Sequence, residues 1–282
     1  MIITGCFFDS KTEPNPNVQN QKSEIVGGEI IMQDVHGVNR GADAEAQFGM
    51  YQVNNQQKLS RMYRGLSRQV TAESSPCSIS RSPIKAPTGS SRELVSVGRL
   101  LFGPLTSENL LEMKENSRHA YQYLLNEGIA AGLYQFVAEG KDKAPKFAEV
   151  LSMPEDLTQV LVNGFDFSKD PVNIKKSENM NISWNATSFE NERDSIILTV
   201  MTDTQDEHVD LNCKIQERTL GKENKMTNWV IDKKEFQDMP TTSTNLGMIA
   251  LLRYHILERK NKEPVLNLIG LRMYNTVAGI GE

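Results

Sequence analysis

Between residues 209 and 216, apolar and polar side chains alternate without a break. Val209, Leu211, Cys213 and Ile215 occupy one set of positions; Asp210, Asn212, Lys214 and Gln216 occupy the other. A period of two over eight residues predicts a strand with one dry face and one wet face. Ile182, Trp184 and Ala186 alternate in the same way with Asn181, Ser183, Asn185 and Thr187. Residues 196–200 are more continuously apolar and read as a central strand, and residues 226–232 as a further one. Short polar connections between these runs favour an antiparallel meander.

Before and after this region the spacing predicts helices. Thr106 or Ser107 caps one that runs to about Asn126, with Leu110, Met113, Ser117, Ala120, Tyr121 and Leu124 as its inner stripe. A second covers residues 129–139, with Leu133, Phe136 and Val137 inward, and ends at Gly140. A third begins at Ser152-Met-Pro-Glu-Asp and stops at Asn163-Gly164. A closing helix spans residues 245–260, broken by Pro264, and residues 265–274 form one more buried element.

The first ninety or so residues read differently. Residues 1–22 turn polar at Asp9 and form a disordered tail. Residues 24–32 carry two β-prone runs around Gly27-Gly28, the pattern of a hairpin with a tight two-residue loop. Residues 71–91 are a Ser- and Pro-rich linker. On a helix of about 100° per residue, Leu59, Met62, Tyr63, Leu66 and Val70 fall on one side of residues 58–70, and Lys58, Arg61, Arg64 and Arg68 on the other. That is a basic amphipathic helix, weakened at Gly65.

Charge sharpens this picture. The chain has 31 basic and 36 acidic residues and a net charge of -5. Residues 58–99 nevertheless hold eight cations (Lys58, Arg61, Arg64, Arg68, Arg81, Lys85, Arg92 and Arg99) against Glu73 and Glu93. A cationic arm on an acidic body expects an anionic partner: a membrane surface, a nucleic acid or an acidic protein. Lys58, Arg61, Arg64 and Arg68 are the contact residues this reading assigns.

Cys6, Cys77 and Cys213 are widely spaced with no CxxC pair, so they read as free thiols in a reducing, intracellular compartment. No apolar run is long enough for a transmembrane helix. The start, Met-Ile-Ile-Thr-Gly-Cys6, has the local look of a lipoprotein cleavage site, but five residues are too few for a signal's apolar core. The sequons at Asn181 and Asn185 read as chance without a secretory signal.

Chemistry-bearing residues collect in one turn: Asp203, Asp206, Glu207, His208 and Asp210. Clustered carboxylates take either a hard cation or a basic partner, and contact with the chain's own basic arm is one such pairing. The plain reading is a solvated charged turn, with no metal and no cofactor. No HExxH, GxSxG or Walker loop occurs, and a Cys213–His119 pair rests on residue type alone. Trp184 and Trp229 read as sheet-face packing.

The expected fold is therefore α+β: helices, then an antiparallel sheet of about four strands, then a closing helix. Residues 92–282 form the globular domain and residues 1–91 a flexible arm. The expected function is that of a non-enzymatic structural or interaction protein, whose arm engages an anionic surface and whose globular part self-associates. In architecture alone this resembles viral matrix-type proteins. The alternatives are a metal-dependent or thiol enzyme using the acidic turn or Cys213, and a protein-binding adaptor or effector.

Overall fold

A computed structural model describes residues 24–37, 40–52, 77–83, 94–167, 169, 171–185, 194–204, 206–214, 228–242, 247–259 and 263–282. Among them the chain forms eighteen strands and a short 3-10 turn at Lys233–Phe236, and no α-helix. In chain order the strands are β1 Glu24–Gly37, β2 Gly41–Gln52, β3 Cys77–Pro83, β4 Leu100–Pro104, β5 Leu111–Glu112 and β6 Lys114–Glu115. There follow β7 Ala120–Leu125, β8 Gly132–Ala138, β9 Phe147–Met153, β10 Thr158–Val162, β11 Phe165–Asp166 and β12 Val172–Lys175. The last six are β13 Met180–Asn185, β14 Asp194–Asp203, β15 Glu207–Lys214, β16 Asn228–Ile231, β17 Gly247–Arg259 and β18 Val265–Gly281.

The α+β expectation is overturned. Where a helix was expected over residues 129–139, Tyr134, Phe136 and Ala138 alternate inward on β8, and Leu133 is exposed. Where one was expected from about 106 to 126, Tyr121 is buried on β7 while Leu124, assigned to the inner stripe, is 69% exposed. Asn163-Gly164 does not stop a helix. Both residues have positive φ, 50° and 84°, and close the two-residue hairpin between β10 and β11, as a type I′ turn requires. The closing helix is β17, whose apolar residues are buried on both faces, which erases the strand period from its sequence. The basic amphipathic helix is likewise unsupported: the described residues contain no α-helix, and residues 58–70 lie outside them. With the α+β frame goes the matrix-type resemblance.

Nor is the N-terminal region an arm throughout. β1 is one continuous strand through Gly27-Gly28, paired in parallel with β18 and antiparallel with β2. A Cβ on Gly28 would lie 2.5 Å from a ring carbon of Phe48 on β2, so glycine here admits an aromatic ring and makes no turn.

The ten-stranded central sheet runs β3-β15-β14-β17-β18-β1-β2-β7-β6, with β12 also pairing β18. One small sheet, β5-β4-β8-β9, packs with one half of it around Ile30, Met32, Phe48, Phe102, Phe136 and Leu268. The other, β11-β10-β13-β16, packs with the remaining half around Val162, Ile182, Trp184, Leu198, Leu211 and Leu251. The four strands expected to form one meander are thus divided. β14 and β15 lie in the central sheet, β13 and β16 in the second small sheet. The result is two lobes, each a pair of packed sheets, sharing the central one.

β17 and β18 run through both lobes. Leu257, Leu266 and Leu268 belong to the first core, and Ile249, Leu251, Ala278 and Ile280 to the second. Between these two sets, on the same face, stand Arg253, His255, Gly270 and Arg272, all at positions paired across the two strands. Here the chain passes from β9 of the first lobe to β10 of the second. A Cβ on Gly270 would sit 2.2 Å from the carbonyl oxygen of Ser152, so glycine allows the end of β9 to lie on the sheet.

Cys77 and Cys213 are joined by a disulfide. The free-thiol expectation fails because the two cysteines stand at directly opposed positions on β3 and β15, a proximity that their separation of 136 residues in sequence conceals. No helix among the described residues is long and apolar enough to cross a membrane, which says nothing of a β-barrel.

Candidate functional site

A group of buried and half-buried charged side chains lies at the junction of the lobes. Antiparallel and parallel register place Asp34 of β1, Arg272 of β18 and Arg253 of β17 in one row across three strands. His36 and Tyr274 form the next row. All project on the face that carries the two cores, against the crossover 154–157.

The arginines hold the crossover by its main chain. Arg272 Nε donates to the Pro154 carbonyl at 2.9 Å, and Arg253 Nη1 to the Glu155 carbonyl at 3.2 Å. The Leu157 amide donates to the Tyr274 hydroxyl at 2.7 Å, and that hydroxyl donates to Asp156 Oδ1 at 3.2 Å. Three successive peptide units with no sheet partner of their own thus find side-chain partners, as buried backbone must. Asp34 balances the buried guanidinium: its Oδ2 pairs with Arg272 Nη1 and accepts from the Ile129 amide at 2.9 Å. Arg272 is 0% exposed and Asp34 6%, so neither charge is tolerable without the other.

His36 completes the group. Its ring stacks on Tyr274 at 5.0 Å between centroids, and Nε2 lies 3.5 Å from Asp156 Oδ1 and 3.7 Å from Asp34 Oδ1. The Asp156 carboxylate, with a further contribution from Asp34, holds the imidazole above its ordinary value, against burial and Arg272. Reciprocally, His36 and then Arg272 hold the Asp156 carboxyl below its own. Burial raises the Tyr274 phenol, which therefore stays protonated and able to donate. Chemically this is a clasp. Most of its donors and acceptors are directed at one another and at the crossover's main chain, while Arg272 Nη2 and His36 Nε2 are buried without a hydrogen-bond partner.

The acidic turn is arranged differently from a metal site. His208 Nδ1 contacts Asp203 at 2.5 Å and Nε2 contacts Asp210 at 2.8 Å, which occupies both ring nitrogens. Asp203, first, and Asp210 raise its basicity. Glu207 pairs with Arg81 of β3 at 3.1 Å, and Arg81 also donates to the Asp238 carbonyl at 2.9 Å. Asp206 is exposed. Among the described residues no group of three or more histidine, cysteine or acidic side chains is set to hold a metal ion. Lys58, Arg61, Arg64 and Arg68 lie outside the described residues. Cys213 is in the disulfide, and His119 contacts Glu115 at 2.6 Å.

An open cleft of about 660 Å³ lies on the second small sheet, lined by Asn163, Asn179, Asn181, Asn228, Ser183 and Glu178. Asn163 and Asn179 each accept a main-chain hydrogen bond through Oδ1, and Glu178 pairs with Lys175 at 2.8 Å.

Sequence reasoning missed the clasp entirely. The signal was present: Arg253 and Arg272 are isolated cations inside long apolar runs, where a charge must be paired.

No protein-family model matches the chain, and no curated protein matches it. Among solved structures, the FN1–FN3 domains of chicken CNTN1 match at 7% identity with a TM-score of 0.25. The match covers 88% of this chain and 62% of that one, and so slight a likeness bears on neither fold nor function.

Proposed function

We propose that this protein is a non-enzymatic structural or interaction protein, a two-lobed β scaffold that works by presenting surfaces. The observation that carries this reading is the clasp. The two arginines of this buried charged group are directed at the chain's own crossover and at Asp34, where an active site would aim such groups into a cavity. The cleft is lined by amides and a hydroxyl, and its one carboxylate is paired, a set suited to hydrogen bonding more than to proton transfer.

Contact with an anionic surface remains part of the proposal and is assigned to Lys58, Arg61, Arg64 and Arg68. Arg81 and Arg99 contribute less to it, because Arg81 pairs with Glu207, and Arg99 with Glu112 and Glu139. The Cys77–Cys213 disulfide favours an oxidising compartment over the reducing one expected from cysteine spacing. The test is co-sedimentation of the full chain with anionic vesicles and, separately, with RNA over a salt series. Capture at low salt that fades as salt rises supports the anionic partner and names which one. No capture of either at low salt overturns that part of the proposal.

A further inference from the structure

The clasp has one member whose charge changes near neutrality, and it stands where that change matters. His36 is on β1, its ring stacked on Tyr274 of β18, with the Asp34 and Asp156 carboxylates within 3.7 Å of Nε2. The charged groups acting on it are Asp156 from the crossover, Asp34 from its own strand and Arg272 from β18. The side chain is 39% exposed, although Nε2, the atom that faces the carboxylates, is itself buried. Asp156 is the crossover residue that ties this set together. It contacts His36, it lies 3.2 Å from Arg272 Nε, and it accepts from Tyr274.

We propose that His36 makes the clasp a pH-sensitive latch. The protonated ring neutralises Asp156 and holds residues 154–157 down on β18; the neutral ring lets this join between the lobes loosen. With His36 charged, two carboxylates face Arg272 and an imidazolium. With it neutral, Asp156 shares Arg272 with Asp34, which is the more deeply buried acid. The weaker, half-exposed contact, that of Asp156, is the one that gives way.

The direction of the effect follows from the raised basicity of the ring. Its stabilising contribution is complete below the ordinary histidine value of 6.5 and is lost as pH rises through the higher value of the folded state. Asp156 sets the opposite limit. Its contribution is present above 3.8 and is lost as pH falls through its depressed folded value. The latch is therefore closed in mildly acidic solution and opens as pH rises through the ring's raised value.

The experiment is amide exchange of the intact protein by NMR from about pH 5 to about pH 8, the span over which histidines titrate. The reading is the protection factor of the Leu157 amide, which donates to Tyr274, referred to the Leu198 amide in the second core. Protection at Leu157 is expected to fall with rising pH, in total by about tenfold for each unit by which the ring is raised. H36Q should remove the pH dependence and leave protection at its high-pH level. H208Q, which alters another histidine paired with carboxylates, should keep the fall. A pH-independent ratio in the wild type, or an undiminished fall in H36Q, overturns the proposal. Should H36Q fail to fold, direct titration of the His36 ring in the wild type decides: a value at or below 6.5 overturns it.

Discussion

Arg272 occupies a position where its neighbours in sequence are leucine, isoleucine and methionine, and it is fully buried. Burying a guanidinium costs several kcal/mol unless a counter-charge and hydrogen bonds offset it. Here Asp34 supplies the charge, and Pro154 and Asp156 supply acceptors. The dependence is mutual, which gives a specific expectation. R272M leaves Asp34 as a buried carboxylate without its cation and should cost about 3–5 kcal/mol in urea unfolding. The double variant D34L/R272M removes both charges and should recover a substantial part of that loss, because no buried charge is left unpaired. Additive losses in the double variant would show that the two residues do not act as a pair. Register brings Arg253 and Asp34 into the same row from strands far apart in the chain. Sequence inspection passed over both arginines, and local pattern has no means of matching them to Asp34, more than two hundred residues away.

At the scale of elements, legibility followed burial geometry. β13 and β15 have one face in the core and one toward water, so their alternation was readable. β17 and β18 bury apolar side chains on both faces, and a continuous apolar run looks the same whether it becomes helix or strand. The Asn-Gly hairpin at 163–164 was read as a helix stop because glycine and asparagine serve both uses. Sheet partners were least readable, since β3 docks on β15 from the far side of the sequence. The disulfide fastens that pairing at the sheet's edge. Thiol titration of unfolded, unreduced protein should therefore find Cys6 alone. C77S/C213S should lose about 2–4 kcal/mol of stability, the range expected for a native crosslink. Three titratable thiols would contradict the assignment.

At the scale of the molecule, the chain is woven between its parts. The central sheet takes strands from all along the sequence, and its β6, β7, β12, β14 and β15 interrupt the stretches that build the two small sheets. β18 pairs with β17, β1 and β12, which ties segments from distant parts of the sequence into one sheet. Such long-range pairing explains why the fold class could not be read from local pattern. It also makes the lobes one unit only as far as the shared sheet and the crossover bind them. Both tryptophans, Trp184 and Trp229, lie in the second lobe's core, so their fluorescence reports that lobe, while far-UV circular dichroism reports all the sheets. The most direct measurement is therefore urea unfolding of wild type and R272M followed by both signals. The clasp account predicts coincident transitions in the wild type and separated ones in R272M, the two lobes melting apart. Coincident transitions in R272M, at an unchanged midpoint, would contradict it.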